Sequence, residues 1–214
     1  MQIHYRKFLP YGRVSRENAL CPKCLALERH RLMWLYLKEK TNFFNQPAKL
    51  LHIAPELCFI DRFEALENLD YITADLESPL AKVKMDIHEI PFEENTFDIS
   101  FCNHVMEHVA DDIKAMSEIH RVLKPGGWAI IQIPFFPPIP EITEEDPAVT
   151  DPSERERLYG QSDHVRKFGL DYPDRLRRAG FEVDENPFVM ELPKEKVERH
   201  ALPKDEIIYV CRKN

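Results

Sequence analysis

Between Lys49 and Phe136 the chain alternates short apolar runs with segments of helical spacing. KLLHIA (49–54) has the length and apolar character of a buried parallel strand. LCFIDRFEALENL (57–69) repeats its apolar residues at helical intervals. YITADL (71–76), AKVKMD (81–86) and FDISFCN (97–103) read as the second, third and fourth strands. ADDIKAMSEIHRVLK (110–124) is a helix with acids early and bases late, which suits the helix dipole. Pro125, Gly126 and Gly127 are expected to stop it ahead of a fifth strand, WAIIQIPFF (128–136). Strands and helices alternating at this spacing predict an α/β fold, a doubly wound and mostly parallel sheet with helices on both faces.

The flanks are different in kind. Residues 1–24 look irregular, and 26–44 carries Leu32, Leu35, Tyr36 and Phe43 at helical spacing, so 1–46 reads as a basic segment and helix capping a main domain at 47–214. PPIPEITEEDPAVTDPSERE (137–156) is rich in proline and acid and follows the carboxyl end of the fifth strand. Ligands sit at that end of open α/β sheets, so 137–163 is expected either to be a loop without fixed structure or to act as a lid. LDYPDRLRRAGFEVDENPFVMEL (170–192) predicts a helix, a Gly180 cap and a sixth strand, and DEIIYVCRK (205–213) a seventh.

Charge narrows the partners. The net charge is −8, yet residues 1–48 hold nine Lys/Arg against three Asp/Glu, so the front end is +6 and the remainder −14. A whole-chain nucleic-acid surface does not fit that balance. The basic front end suits either its own acidic domain or an anionic group on a substrate. There is no apolar run of about 18 residues. The start lacks the apolar stretch of a signal peptide, and five cysteines give no paired framework, so a cytoplasmic protein without membrane contact is expected.

A nucleotide-type cofactor needs a tight turn after the first strand, an acid for the ribose hydroxyls at the end of the second, and a polar group for adenine after the third. Asp75, followed by Leu76, stands at the second position, and Asp86 with Ile87 at the third. Asp98 sits near a strand start and reads as structural.

With these residues placed, the chain resembles a class I S-adenosylmethionine-dependent methyltransferase, close to the small type 11 methyltransferases. The resemblance rests on PFEENTFDISFCNHVMEHVADDIKAMSEIHRVLKPGGWAIIQIP within residues 45–136, and less strongly on DHVRKFGLDYPDRLRRAGFEV (163–183). It implies a Rossmann-like, seven-stranded, mostly parallel sheet, S-adenosylmethionine as cofactor, and transfer of a methyl group to a small-molecule acceptor. It also implies that His52, Ala54, Pro55 and Glu56 line the cofactor from the first strand. Asn103, His104 and Val105, with Glu107 and His108, would line cofactor and acceptor after the fourth.

One departure stands out. The family's turn after the first strand is rich in glycine, and here it is Ile53-Ala54-Pro55-Glu56. Ala54 is small enough for close approach, Pro55 fixes the turn, and Glu56 is the acid available for the ammonium of the methionine part. Methyl transfer from a sulfonium is an in-line displacement, so the protein mainly aligns donor and acceptor and takes up a proton. His104, His108 and His164 are the candidate bases, with an orienting role as the alternative for each. Cys21-Pro-Lys-Cys24 is half of a tetrahedral zinc site, and the sequence has no second Cys-x-x-Cys. His4 and His30 are the nearest other donors, and a structural turn without metal is the expected reading. The competing function is a catalytically silent binding protein that kept the fold after losing the glycine-rich turn.

Overall fold

The computed structural model describes residues 8–12 and 15–214, and these residues form eleven strands and seven helices. In chain order these are β1 (Leu9–Tyr11), β2 (Arg16–Leu20), α1 (Glu28–Lys40), β3 (Ala48–Ile53), α2 (Leu57–Glu64), β4 (Leu69–Asp75), β5 (Val83–Lys84) and β6 (Phe97–Asn103). Then come α3 (Asp112–Val122), β7 (Leu123–Gln132), β8 (Glu144–Glu145), α4 (Pro152–Tyr159), β9 (Arg166–Lys167), α5 (Tyr172–Arg178), β10 (Glu182–Asn186), α6 (Phe188–Glu191), α7 (Lys194–His200) and β11 (Ile208–Arg212). They divide into two compact units. The expected cap at 1–46 falls within the first, which comprises 1–47, 56–69 and 186–208; the second comprises 48–55, 70–185 and 209–214. No helix of the described residues is long and apolar enough to cross a membrane.

In the first unit, residues expected to be irregular form an antiparallel hairpin of β1 and β2. Their sequences, LPY and RENAL, are short and mostly exposed and lack the alternation that marks a strand. Arg31 ties the hairpin to the C-terminal end of α7. Its guanidinium donates to the carbonyls of Ala19, Ala26 and Asn18 on one side and of His200 and Ala201 on the other. A planar fork with five donors can serve so many carbonyls, and an ammonium cannot. Trp34 on α1 stacks near-parallel with Phe59 and Phe63 on α2, and those two rings stack on each other at 5.1 Å. Burying Phe59 and Phe63 contributes about 1.5–3 kcal/mol each.

The second unit holds a seven-stranded sheet in the order β10-β11-β7-β6-β3-β4-β5. β3 with β6, β6 with β7 and β4 with β5 are parallel, and β11 runs antiparallel to β7. The fold is thus the expected Rossmann-like, mostly parallel sheet. From β3 the chain builds outward through β4 and β5, then returns to the other side of β3 for β6 and β7, so the order reverses between β3 and β6. That reversal is where open α/β sheets bind ligands, outside the carboxyl ends of the strands. At the opposite end Asp98 accepts from the Lys49 amide at 2.8 Å and pairs with Lys124 at 2.7 Å, a structural acid as its position suggested.

Pro125, Gly126 and Gly127 do not separate helix from strand as expected. The α3 helix ends at Val122, and the three residues lie inside β7, where the register against β6 shifts. The backbone at Gly126 is left-handed (φ +79°), and a Cβ at Gly127 would stand 2.9 Å from the Lys124 carbonyl oxygen, so the bulge needs both glycines.

The insert at 137–163 is built rather than structureless. Asp151 caps α4, with Pro152 in its first turn and Gly160 as its left-handed C-terminal stop. β8 pairs antiparallel with β9. Thr143 donates to Asp171 Oδ1 through both its amide and its hydroxyl, each at 2.7 Å. Arg175 makes a two-pronged pair with the buried Asp112 on α3 and also reaches Glu145. Burial alone would lower the Arg175 pKa, but Asp112 and Glu145 raise it, keeping the guanidinium charged.

Candidate functional site

Two residues without glycine's freedom turn the chain at the point where the strand order reverses. Ala54, just past β3, has φ +50°, and His104, just past β6, has φ +56°. Left-handed backbone costs an L-residue about 1–2 kcal/mol, so each is held by its surroundings. Ala54 N–H donates to the Ala74 carbonyl and His104 N–H to the Gln132 carbonyl. The missing glycine is therefore missing in name only: Ala54 adopts the conformation that a glycine would, with the smallest side chain that has a Cβ.

Asp75 ends β4, and its Oδ1 accepts from the amides of Glu77 and Ser78 at 2.8 and 2.7 Å. This Asx turn fixes the carboxylate at the mouth of the sheet. Leu76 beside it is 54% exposed, an apolar surface next to a held acid. Asp86 is exposed and accepts from the backbone amide and ring Nδ1 of His88, which together hold its carboxyl below the usual range. The other ring nitrogen of His88 accepts from the Asp111 amide, linking this loop to the start of α3. Ile87 and Pro55 are buried, and Val105 is partly exposed. Asn103 is the buried last residue of β6, in register with Gln132. Glu56 belongs to the first unit, where it directly precedes α2 and its Oε1 stands 3.6 Å from His30 Nε2. His52, next to last in β3, is fully buried with Nδ1 at the Tyr71 hydroxyl at 2.8 Å, so its ring packs in the core.

The three candidate histidines converge, and they converge on Glu107. Its side chain is 2% exposed. Its Oε1 lies 3.6 Å from His104 Nδ1 and 3.9 Å from His108 Nε2. The His108 and His164 rings meet edge to face at 4.8 Å. His164 is fully buried, which pushes its pKa down although the Tyr159 carbonyl at its Nδ1 opposes this.

The loop carrying these groups is fixed from below by Arg166, which the sequence reading passed over. Its guanidinium donates to the carbonyls of Met106, Val109 and Ala110 and to Glu145. Val165 N–H donates to the Glu107 carbonyl. The DHVRKF stretch that carries Arg166 held the sequence signal, a long cationic side chain two residues after His164.

Cys21 and Cys24 lie on the turn after β2 as partly exposed thiols. His30 is engaged elsewhere, with Nδ1 3.1 Å from the Leu27 amide and 3.2 Å from Cys58 Sγ. His4 lies outside the described residues.

Residues 57–131 match a family described as a methyltransferase domain. A demethylmenaquinone methyltransferase from Staphylococcus epidermidis is 37% identical over 68 residues, which is 32% of this chain and 28% of that one. The matched stretch is under a third of the length of each of the first curated relatives. Among solved structures, an S-adenosylmethionine-dependent methyltransferase from Mesorhizobium loti superposes with a TM-score of 0.51 at 16% identity, covering 84% of this chain and 97% of that one. The [4+2]-cyclase SpnF gives 0.54 at 15% identity over 99% and 88%. At such identities the structures establish the shared fold.

Proposed function

We propose that this chain, whose residues 57–131 match a methyltransferase domain, binds S-adenosylmethionine and transfers its methyl group to a small-molecule acceptor. The observation that carries this reading is the pair of left-handed residues, Ala54 and His104, at the carboxyl ends of β3 and β6, with the fixed carboxylate of Asp75 at the end of the adjoining β4. Asp75 would take the ribose hydroxyls, exposed Leu76 would lie against the adenine, and the Ala54–Pro55 turn would face the methionine part. Asp86 is a weaker adenine ligand, because His88 already engages its Oδ1.

On the acceptor side His104 would receive the proton, with the Glu107 carboxylate 3.6 Å from its Nδ1. The segment 137–163 would cover the acceptor as a fixed wall rather than a swinging lid, since Thr143 and Glu145 pin it. A small acceptor accords with the chain's acidic balance and with the quinone precursor named for the Staphylococcus relative. Calorimetric titration with S-adenosylmethionine and S-adenosylhomocysteine tests the cofactor half. Asp75→Ala should weaken binding by about 1.5–3 kcal/mol, the worth of hydrogen bonds to a charged group. Equal affinity in the two proteins removes Asp75 from the site.

A second reading has one specific observation behind it: the cyclase SpnF shares this fold over nearly the whole chain. A methyltransferase scaffold can therefore host other chemistry. Cofactor binding without any transfer of labelled methyl to a panel of hydroxylated and aminated acceptors would favour that reading.

A further inference from the structure

We propose that Glu107, His108 and His164 form a binding site for a divalent first-row cation of the zinc class, with one coordination position left for an oxygen ligand. One ligand atom from each of the three lies within 4.8 Å of the others. Two imidazoles and one carboxylate are a donor set that zinc-type ions prefer, with a fourth position open in sites that also bind water or substrate.

The orientation of the rings points the same way. His164 Nδ1 faces the Tyr159 carbonyl at 2.9 Å and His108 Nδ1 faces Asp163 Oδ2 at 3.3 Å. Each ring thus has an oxygen at Nδ1, the outer-shell partner that metal-bound histidines commonly have, which leaves Nε2 as the donor atom. His108 Nε2 turns toward Glu107. His164 Nε2 meets the side-chain amide nitrogen of Gln161 at 2.5 Å, the position that an ion would take from it.

The independent observation is Glu107 itself. Its carboxylate is 2% exposed, and Oε2 is buried with no hydrogen-bond partner among the described residues. A buried carboxylate without donors is costly, and two imidazoles at 3.6 and 3.9 Å are not hydrogen bonded to it. A cation held between Glu107 and the two Nε2 atoms would satisfy it directly. Ligand atoms around tetrahedral zinc lie about 3.3 Å apart, so the cluster must close by roughly 1.5 Å, within the reach of side-chain rotation.

The site stands on this cluster alone and does not depend on methyl transfer. If the chain is a methyltransferase, the open position adjoins His104 and would take an anionic oxygen of the acceptor.

The test is titration of chelator-treated full-length protein with Co²⁺ and then Zn²⁺, followed by visible absorption and metal analysis. One equivalent of Co²⁺ should bind with intense d–d bands and be displaced by Zn²⁺. Glu107→Gln and His164→Ala should each weaken binding at least 100-fold. His108→Ala, a change at an exposed ring, guards against misfolding and should do the same. Asp163→Asn should weaken binding about tenfold, as outer-shell changes do. Cys21→Ser/Cys24→Ser should bind like the parent. The proposal is overturned if Co²⁺ gives no d–d bands, if one equivalent persists in Glu107→Gln or His108→Ala, or if the spectrum shows thiolate charge transfer that vanishes in the double cysteine variant.

Discussion

Arg166→Met keeps the apolar stem of the side chain and removes every donor. In the parent the guanidinium serves the carbonyls of Met106, Val109 and Ala110 and the Glu145 carboxylate, and its side chain is 2% exposed. The four contacts are not equal. Met106 is fully buried, so its carbonyl loses its donor and gains no water, at about 1–3 kcal/mol. Val109 is half-buried and Ala110 exposed, so water can replace the donor at little cost. Glu145 is 38% exposed, so its pair with Arg166 is screened and contributes well under 1 kcal/mol.

The expected loss is therefore about 2–3 kcal/mol. With a urea m-value of about 2–3 kcal/mol/M, the midpoint should fall by about 1 M. Arg166→Lys keeps the charge but not the fork and should recover less than half. Function should separate from stability. The loop after β6 carries His104, Glu107 and His108, whereas Asp75 and Ala54 belong to other strands. S-adenosylmethionine affinity should stay within threefold while turnover falls at least tenfold, since small misplacements of reacting groups cost that much. A midpoint shift below 0.2 M (about 0.5 kcal/mol), or equal losses in affinity and turnover, would refute the view that Arg166 holds the acceptor side of the site.

Ala54→Gly should stabilise the fold by about 0.5–1 kcal/mol, the relief of left-handed strain less the added freedom of the unfolded chain, read by thermal unfolding. Ala54→Leu should leave a folded protein with cofactor affinity reduced at least tenfold in calorimetry, and unchanged affinity would place the turn away from the ligand. Asp112→Ala strands the buried Arg175 with Glu145 as its remaining carboxylate partner and should cost about 3–5 kcal/mol in urea unfolding.

Glu118 has its carboxyl held down by Arg121, against the opposing effect of burial, with the Ile90 amide assisting. A depressed folded-state pKa contributes stability above the ordinary value of 4.5, and that contribution is lost as pH falls through the folded pKa. Glu118→Gln should therefore be less stable than the parent at pH 7, with the difference shrinking below about pH 4.5. A difference independent of pH would assign the effect to packing.

The sequence by itself determined what depends on period and on position along one strand. Apolar runs of strand length placed β3, β4, β6 and β7, and their alternation with helices gave the parallel sheet. The acid closing β4 was visible as Asp75 because a strand's last residue sits at the carboxyl end of the sheet whatever surrounds it. Signals of low contrast failed. The hairpin of β1 and β2 is short and mostly exposed, so it has no alternation to read. Pro125, Gly126 and Gly127 looked like a helix stop, but pairing with β6 and β11 turned them into a bulge. The caps of α4, Asp151 and Gly160, were hidden among the surrounding prolines and acids.

Tertiary structure alone decided the rest, because it depends on residues far apart in the chain. Ala54 could be read as a lost glycine until its φ of +50° put it in glycine's conformation. His52 was a candidate in the sequence, and the fold buries its ring with Nδ1 at the Tyr71 hydroxyl. His104, His108 and His164 were three separate candidates in the sequence. The fold brings His164 and Arg166 back beneath the loop after β6 and leaves Glu107 buried among the rings. A local pattern cannot contain that arrangement, since burial and proximity are set by packing between segments and not by the identity of neighbours in the chain.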